Sequence, residues 1–266
     1  MTTLLKDDLE LEIDELRRAK NAVILAHFYQ HPDIQDLADH VGDSLQLSRQ
    51  AAKTTADVIV FAGVKFMAET AKILNPTRTV VLPDLQAGCS LVDGCPPEKF
   101  RAWRAQWPDA IVVTYINSSI ELKSMSDYTC TSSNARQIIE SIPRDKKIIF
   151  APDKNLGAYL AKVTGRDMIL WPGSCMVHEV FSEKHIVLLK EEHPDAPVLA
   201  HPECEERVLR HADYIGSTAG ILGFAAKSPK KRFLIGTEAN MIHAMQKAAP
   251  DKEFIPIPTI TGCACN

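Results

Sequence analysis

Seven cysteines stand in this chain of 266 residues, and some of their positions keep step with one another. Cys175 follows Cys89 by 86 residues and Cys263 follows Cys175 by 88, with Cys265 two residues further on. Each ends a loop rich in Gly or Pro that follows an apolar run: VVLPDLQAGCS, ILWPGSC and IPIPTITGCAC. Converging thiolates from three such loops could hold a [4Fe–4S] cluster with one iron left open, or a zinc ion. The wide spacing is unlike the compact cysteine runs of electron-transfer ferredoxins and unlike the C-x-x-C pairs of structural zinc sites. Inert buried thiols are the alternative, and that is what Cys95, Cys130 and Cys204, which match no series, are expected to be.

The same period recurs in other residues able to do chemistry. AVILAHFYQ, AIVVTYINS and APVLAHPEC are apolar runs that end in polar clusters, with His27, Tyr115 and His201 spaced by 88 and 86. These clusters also carry Tyr29, Asn117 and Glu203. Ser44, Ser132 and Thr218 repeat the spacing in GDSLQLS, CTSSNAR and GSTAGIL. A further trio, DVIVFAGVKFMAE, KIIFAPDKNLGAY and RFLIGTEANMIHA, reads as strand, small turn and helix. Four series with a period near 87 mark an internal threefold repeat. Taken singly, Ser44, Ser132 and Thr218 read equally as helix N-caps, and His201-Pro202-Glu203 as a strand-to-helix turn.

The elements that must position these residues follow from hydrophobic periodicity. An amphipathic helix is expected over 4–20, with Leu5, Leu9, Ile13 and Leu16 on one face. Strands are expected at 22–27, 57–62, 79–82, 110–115, 147–151, 168–171, 196–200, 214–216, 232–236 and 254–257. Helices are expected at 33–40, 44–55, 66–74, 134–141, 156–163, 176–190, 203–211 and 238–248. Apolar strands alternating with helices indicate α/β architecture with parallel sheets covered on both faces. Divided by the repeat, the chain falls into αβα units over 1–100 (with the N-terminal helix), 101–185 and 186–266. Polar residues past the carboxyl ends of parallel strands face a ligand crevice. Three such units about a pseudo-threefold axis would therefore aim a thiol, a hydroxyl and a His/Tyr/Asn/Glu cluster at one centre.

Composition narrows the partners. Hydrophobic residues make up 45% and charged residues 24%, ordinary globular values, and the net charge is −4 with 30 Lys and Arg. No broad basic surface follows, so neither nucleic acid nor an anionic membrane is expected as a partner. The acidic N-terminus lacks the basic and apolar regions of a signal peptide. Apolar runs such as 22–26 and 58–62 are too short to span a bilayer. A cytoplasmic protein with its cysteines as thiols is the expectation. The His-Glu pair at 178–179 lacks the second histidine of a zincin, and neither a G-x-x-x-x-G-K-[ST] loop nor a G-x-G-x-x-G fingerprint is present. His40, His178, His185, His193, His211 and His243 are expected to be structural or surface residues.

Over essentially its whole length the sequence resembles the quinolinate synthase (NadA) family. The resemblance is carried by AHFYQ (26–30), GDSLQLS (42–48), GVKFMAETAKILNP (63–76), AGCSL (87–91), TYINSS (114–119), CTSSNA (130–135), PDKNLG (152–157), WPGSC-x-VHE (171–179), HPEC (201–204) and GSTAGI (216–221). It implies three αβα domains about a pseudo-threefold axis and an oxygen-sensitive [4Fe–4S] cluster on three cysteines, two of which match Cys89 and Cys175. The family's third lies in a C-P-aromatic-M element, expected just beyond Asn266, with Cys263 or Cys265 as the in-chain substitute. The resemblance puts His27, Ser44, Tyr115, Asn117, Ser132, His201, Glu203 and Thr218 at the substrate, with Tyr29 at a catalytic position. Phe28 stands where the family often has Asn.

The implied reaction joins iminoaspartate to dihydroxyacetone phosphate and releases phosphate and two waters to give quinolinate, in NAD biosynthesis. Two substrate carboxylates call for the donors His27, Tyr115, Ser44, Ser132 and Thr218. Enamine formation and isomerisation call for a base, for which Glu203 and His201 are the candidates, with Tyr29 carrying protons. An open iron would act as a Lewis acid in dehydration. L-Aspartate oxidase is the implied functional partner. The competing readings are a zinc-dependent aldolase or lyase, and a metal- or small-molecule-sensing module without turnover.

Overall fold

The computed structural model describes residues 6–259, so Cys263 and Cys265 lie outside the described residues. Its elements are laid out three times in one plan. The first unit runs α1 (Lys6–Ala19), β1 (Ala22–His27), α2 (Pro32–Leu37), β2 (His40–Gly42), α3 (Ser44–Lys53), β3 (Val58–Ala62), α4 (Lys65–Leu74), β4 (Thr79–Val81) and α5 (Ser90–Asp93). The second follows with α6 (Pro97–Arg104), β5 (Ile111–Tyr115), α7 (Ile120–Ser124), β6 (Tyr128–Cys130), α8 (Ala135–Ser141), β7 (Ile148–Ala151), α9 (Lys154–Thr164), β8 (Met168–Leu170) and α10 (Met176–Glu179). The third holds α11 (Glu183–Glu192), β9 (Val198–Ala200), α12 (Glu206–Leu209), β10 (Tyr214–Ile215), α13 (Thr218–Lys227), β11 (Arg232–Gly236), α14 (Met241–Ala248) and β12 (Glu253–Pro256).

Each unit has one four-stranded parallel sheet, in the orders β2-β1-β3-β4, β6-β5-β7-β8 and β10-β9-β11-β12. The α/β class and the three-unit plan expected from the repeat are therefore what the chain forms. The two central strands of each sheet are apolar because helices cover both faces, and all four residues of β7 are buried. Burying one such Ile or Phe side chain is worth roughly 1.5–3 kcal/mol. The first and second units share one core, in which Leu25, Ile59 and Phe61 join Val113, Ile148 and Phe150. The strands β2 and β6, which hydrophobicity did not mark, are three-residue edge strands that begin exposed and end on a buried residue. The helix expected over 176–190 is two helices, α10 and α11, because Phe181 between them makes an antiparallel bridge with Thr259.

An aspartate holds the same place in every unit. Asp39, Asp127 and Asp213 each accept, through the side chain, the backbone N–H of Ile24, Val112 and Val198, all at 2.8 Å. Each also donates its own N–H to the carbonyl of that same residue, at 3.0, 2.9 and 2.8 Å. The first strand is thus tied to the start of the second in each sheet.

The units are sewn together by polar seams. Lys123 of α7 reaches Thr70 Oγ1 of α4 at 3.1 Å, and burial brings its ammonium down to about 8. Asn155 Nδ2 donates to the Glu203 carbonyl at 3.1 Å. Gln35 Nε2 donates to the Asn240 carbonyl at 3.0 Å, and Asn240 Nδ2 returns a bond to the Tyr29 carbonyl at 3.1 Å. Phe28 packs in the core of the third unit, with Leu199, Ile221 and Phe233. Among the described residues no helix is long and apolar enough to cross a membrane.

Candidate active site and metal centre

The three units meet at the carboxyl ends of their sheets. Ser133 Oγ donates to Asp43 Oδ2 at 2.7 Å and lies 2.8 Å from Ser217 Oγ, one residue from each unit. Asp43 and Ser217 are the N-caps of α3 and α13, accepting from the N–H groups of Gln46 and Gly220. Capping is therefore done one residue before Ser44 and Thr218, which are the first residues of their helices, and their hydroxyls are not spent as caps. Ser132 does not cap α8 either; Asn134 is the N-cap there, and Ser132 Oγ lies 3.2 Å from His201 Nε2.

His27 ends β1, Tyr115 ends β5 and His201 follows β9, so matching strand ends deliver an imidazole, a phenol and an imidazole. Each is held by its own turn. His27 Nδ1 accepts the Tyr29 N–H at 3.2 Å, Ile116 N–H continues the ladder to the Cys130 carbonyl at 2.8 Å, and Cys204 N–H closes on the His201 carbonyl at 3.0 Å. Glu203 is buried at their centre, 2% exposed, and accepts from Tyr115 Oη at 2.5 Å. Its other oxygen is 3.1 Å from His178 Nδ1.

His178, expected to be a structural or surface residue, is instead a hub. Its Nδ1 lies 3.2 Å from Cys175 Sγ, its Nε2 lies 3.1 Å from Thr237 Oγ1, and its ring stacks on His201 at 4.7 Å. Thr237 Oγ1 is in turn 2.8 Å from Tyr29 Oη. A hydrogen-bonded path thus runs Tyr29–Thr237–His178–Glu203–Tyr115 through all three units. The signal that could have found His178 is the C-x-x-H spacing from Cys175. Nothing in the sequence marks Thr237, whose counterparts in the repeat are Gly63 and Pro152.

The cysteine loops also meet. Cys89 N-caps α5 and Cys175 N-caps α10. Met176 N–H donates to Ser90 Oγ at 3.2 Å, joining the residues that follow the two cysteines, and both side chains pack on the same apolar cluster. Asp153, fully buried, accepts from Cys175 N at 3.0 Å and Leu156 N at 2.6 Å and so fixes the second loop. Asn117 Nδ2 lies 3.9 Å from Cys89 Sγ, while its buried Oδ1 has no hydrogen-bond partner among the described residues, as expected of an atom that faces a ligand. The ligand atoms of Cys175, His178 and Glu203 lie within 4.8 Å of one another. Cys95, Cys130 and Cys204 are buried in separate core clusters, in keeping with inert thiols.

Burial sets the charge states. It pushes His27 down to about 4 and His201 down to about 3, so both imidazoles are neutral at pH 7. It would raise the Glu203 carboxyl, but the neighbouring histidines and the Tyr115 hydroxyl outweigh it and hold that carboxyl below its ordinary value. With His201 neutral, hydrogen bonds from Tyr115 and His178 are what sustain the carboxylate. Burial and the Glu203 charge raise Tyr29 and Tyr115 well above 10, so both stay protonated donors. Burial pushes the Cys89 thiol up to about 11, a shift that metal coordination reverses.

Doubly wound parallel units, a shared carboxylate–imidazole–phenol path and a buried Cys/His/Glu group able to hold a metal ion together define the class: an α/β enzyme with a candidate metal centre where its three units meet. The profile of the family described as "NadA: Quinolinate synthetase A protein" matches residues 11–266, and the chain belongs to that family. The quinolinate synthase of Microcystis aeruginosa is 62% identical over 262 residues, covering 98% of this chain and 82% of that protein. That of Trichormus variabilis is 63% identical over 259 residues, covering 97% and 80%. That of Chloroherpeton thalassium is 63% identical over 260 residues, covering 97% and 81%.

Proposed function

We propose that this chain is a quinolinate synthase of NAD biosynthesis, condensing iminoaspartate with dihydroxyacetone phosphate to quinolinate with release of phosphate and two waters. The observation that carries the mechanism is Glu203, held ionised between Tyr115 and His178 at the meeting point of the three units. The cofactor we assign is a [4Fe–4S] cluster on Cys89, Cys175 and a third cysteine outside the described residues. The donor set fits it: two thiols from separate units on adjoining loops, with the orphaned amide oxygen of Asn117 and the Glu203 carboxylate beside them. When bound, the cluster supplies Lewis acidity at an iron that lacks a protein ligand.

The chain's own residues do the rest. Ser44, Ser132, Thr218 and neutral His27 donate hydrogen bonds to the two substrate carboxylates, and Asn117 Oδ1 accepts from the substrate nitrogen. Glu203 takes the carbon-bound proton that must leave for the imine to become an enamine. With the His178 proton moved to Nε2, protonated Glu203 gives its proton to Nδ1, Nε2 gives one to Thr237, Thr237 gives one to Tyr29 Oη and Tyr29 gives one to a substrate oxygen, as isomerisation and dehydration require. Tyr29 and Tyr115, both held protonated, give protons rather than take them. Burial of the path keeps water from hydrolysing the imine. Because iminoaspartate hydrolyses readily, we assign its supply to L-aspartate oxidase, and we place the protein in the cytoplasm, where the thiols stay reduced.

The test is anaerobic reconstitution of the full-length protein with iron and sulfide. The expected product is brown, carries about four irons per chain and forms quinolinate from the two substrates. Cys89→Ser and Cys175→Ser are each expected to be colourless and inactive. Iron and turnover at the unsubstituted level in either variant would remove that cysteine from the centre.

A further inference from the structure

Cys175 is a corner of two donor sets of different size. Thiolates on separate irons of a cluster stand farther apart than the ligands of one ion, and Cys89 lies outside the tight group. Inside it, His178 Nδ1 is 3.2 Å from Cys175 Sγ and 3.1 Å from Glu203 Oε2. Ligands of a single zinc ion, at about 2.3 Å for sulfur and 2.0–2.2 Å for nitrogen and oxygen, stand roughly 3.3–3.6 Å apart at tetrahedral angles. The two distances from His178 Nδ1 are therefore within a few tenths of an ångström of those values, and all three ligand atoms lie within 4.8 Å of one another. We propose that, in cluster-free protein, Cys175 Sγ, His178 Nδ1 and a Glu203 carboxylate oxygen bind one divalent transition-metal ion, with zinc as the favoured occupant and cluster assembly blocked while it is there.

Several features of the surroundings suit an ion of this kind. Thiolate, imidazole and carboxylate are the ligand types zinc takes, in a three-ligand set that leaves one position for solvent. Thr237 Oγ1, 3.1 Å from His178 Nε2, accepts a hydrogen bond when the ring proton is on Nε2, and that tautomer leaves the Nδ1 lone pair for the metal. The Asp153 carboxylate holds the Cys175 backbone in place. One thiolate and one carboxylate neutralise the ion, which matters because Cys175, His178 and Glu203 are 7%, 2% and 2% exposed. Binding releases the thiol proton to solvent and moves the imidazole proton from Nδ1 to Nε2. The ion site uses neither Cys89 nor the third cysteine and stands without the cluster assignment, whereas its block on assembly rests on that assignment.

The test uses full-length protein stripped of iron with a chelator, kept anaerobic and reduced, and titrated with Co2+. One equivalent should bind with tetrahedral d–d bands and a sulfur-to-cobalt charge-transfer band of single-thiolate intensity, and Zn2+ should displace it. Cys89→Ser should leave the stoichiometry and the band unchanged, whereas Cys175→Ser and His178→Gln should each weaken Co2+ binding at least tenfold. Protein preloaded with Zn2+ should take up iron and sulfide only in proportion to its zinc-free fraction. A band of two or three thiolates in unsubstituted protein overturns the assignment without recourse to any variant. So does loss of the band in Cys89→Ser with retention in His178→Gln, or the absence of one-equivalent binding. Iron uptake indifferent to Zn2+ overturns the overlap of the two sites.

Discussion

At one place in each unit the repeat has been kept to the atom, and at another it has been abandoned. Asp39, Asp127 and Asp213 make the same pair of hydrogen bonds to Ile24, Val112 and Val198. Past the far ends of those same strands, His27 turns to Tyr29, Tyr115 to Glu203, and His201 to Ser132. The framing region needs only that a short edge strand start in register, and an aspartate ahead of it does this equally well three times. The site region must bind an unsymmetrical substrate and move protons in one direction, so identical residues there would serve no purpose. Threefold symmetry supplies a place where three sheet ends converge, and departures from it supply the chemistry.

The largest expected effect comes from breaking the site region while leaving the frame alone. Glu203→Gln keeps the shape but removes the base, and kcat should fall by about 10²–10⁴, with iron content and Tm near those of the unsubstituted protein. Turnover within a few-fold of normal would take Glu203 out of proton transfer. Next is the distal end of the path. Tyr29→Phe deletes the bond to Thr237 and should cost about 10–100-fold in kcat with little change in KM, because the phenol carries protons rather than binding carboxylate. An equal loss in KM alone would make Tyr29 a binding residue.

The frame gives a smaller effect of another kind. Asp127→Ala removes the acceptor for the Val112 N–H and should lower Tm by about 2–4 °C, the shift expected for one hydrogen bond in a chain of this size. KM and kcat should hold, and Asp39→Ala and Asp213→Ala should give shifts of similar size. If one of the three variants lost far more than the others, the frames would not be equivalent.

This comparison also accounts for what the sequence could and could not disclose. The period near 87 located the sheets and brought the right strand ends together because strand-ending residues change type while keeping their place. It could have disclosed more: β10 was expected at 214–216, and stepping back by 86 and then 88 from Tyr214 lands on Tyr128 and His40, the first residues of β6 and β2. Those strands escaped because edge strands are short and only their last residues are buried, leaving no hydrophobic run to detect. The break between α10 and α11 was hidden because Phe181 pairs with Thr259, nearly 80 residues away. Phe28, which stands where the resemblance often has Asn, packs in the third unit's core. His178 and Thr237 lie on the path only because units two and three close on each other, a contact no local pattern encodes.

The smallest expected effect concerns protonation, and it separates the two regions by stability rather than by turnover. Burial holds His27 at about 4, against 6.5 for an ordinary histidine. Between those values the unfolded chain binds a proton that the folded chain refuses. Stability from the neutral imidazole is therefore complete above pH 6.5 and is lost progressively as pH falls toward 4, with no further loss below that. From pH 7 to pH 6 this one group should cost about 0.7 kcal/mol. His201, pushed down to about 3 by the same cause, should add a similar amount. Glu238, raised to about 7 by burial, takes up a proton in the folded chain over the same interval and acts in the opposite sense. His27→Gln cannot titrate, so its stability change from pH 7 to pH 6 should be less unfavourable than that of the unsubstituted protein by about 0.7 kcal/mol, whatever the other groups contribute. The Asp127→Ala protein, by contrast, should start lower and run parallel to it. Parallel curves for the His27→Gln and unsubstituted proteins would mean that His27 is solvated, and that the end of β1 does not face a closed site.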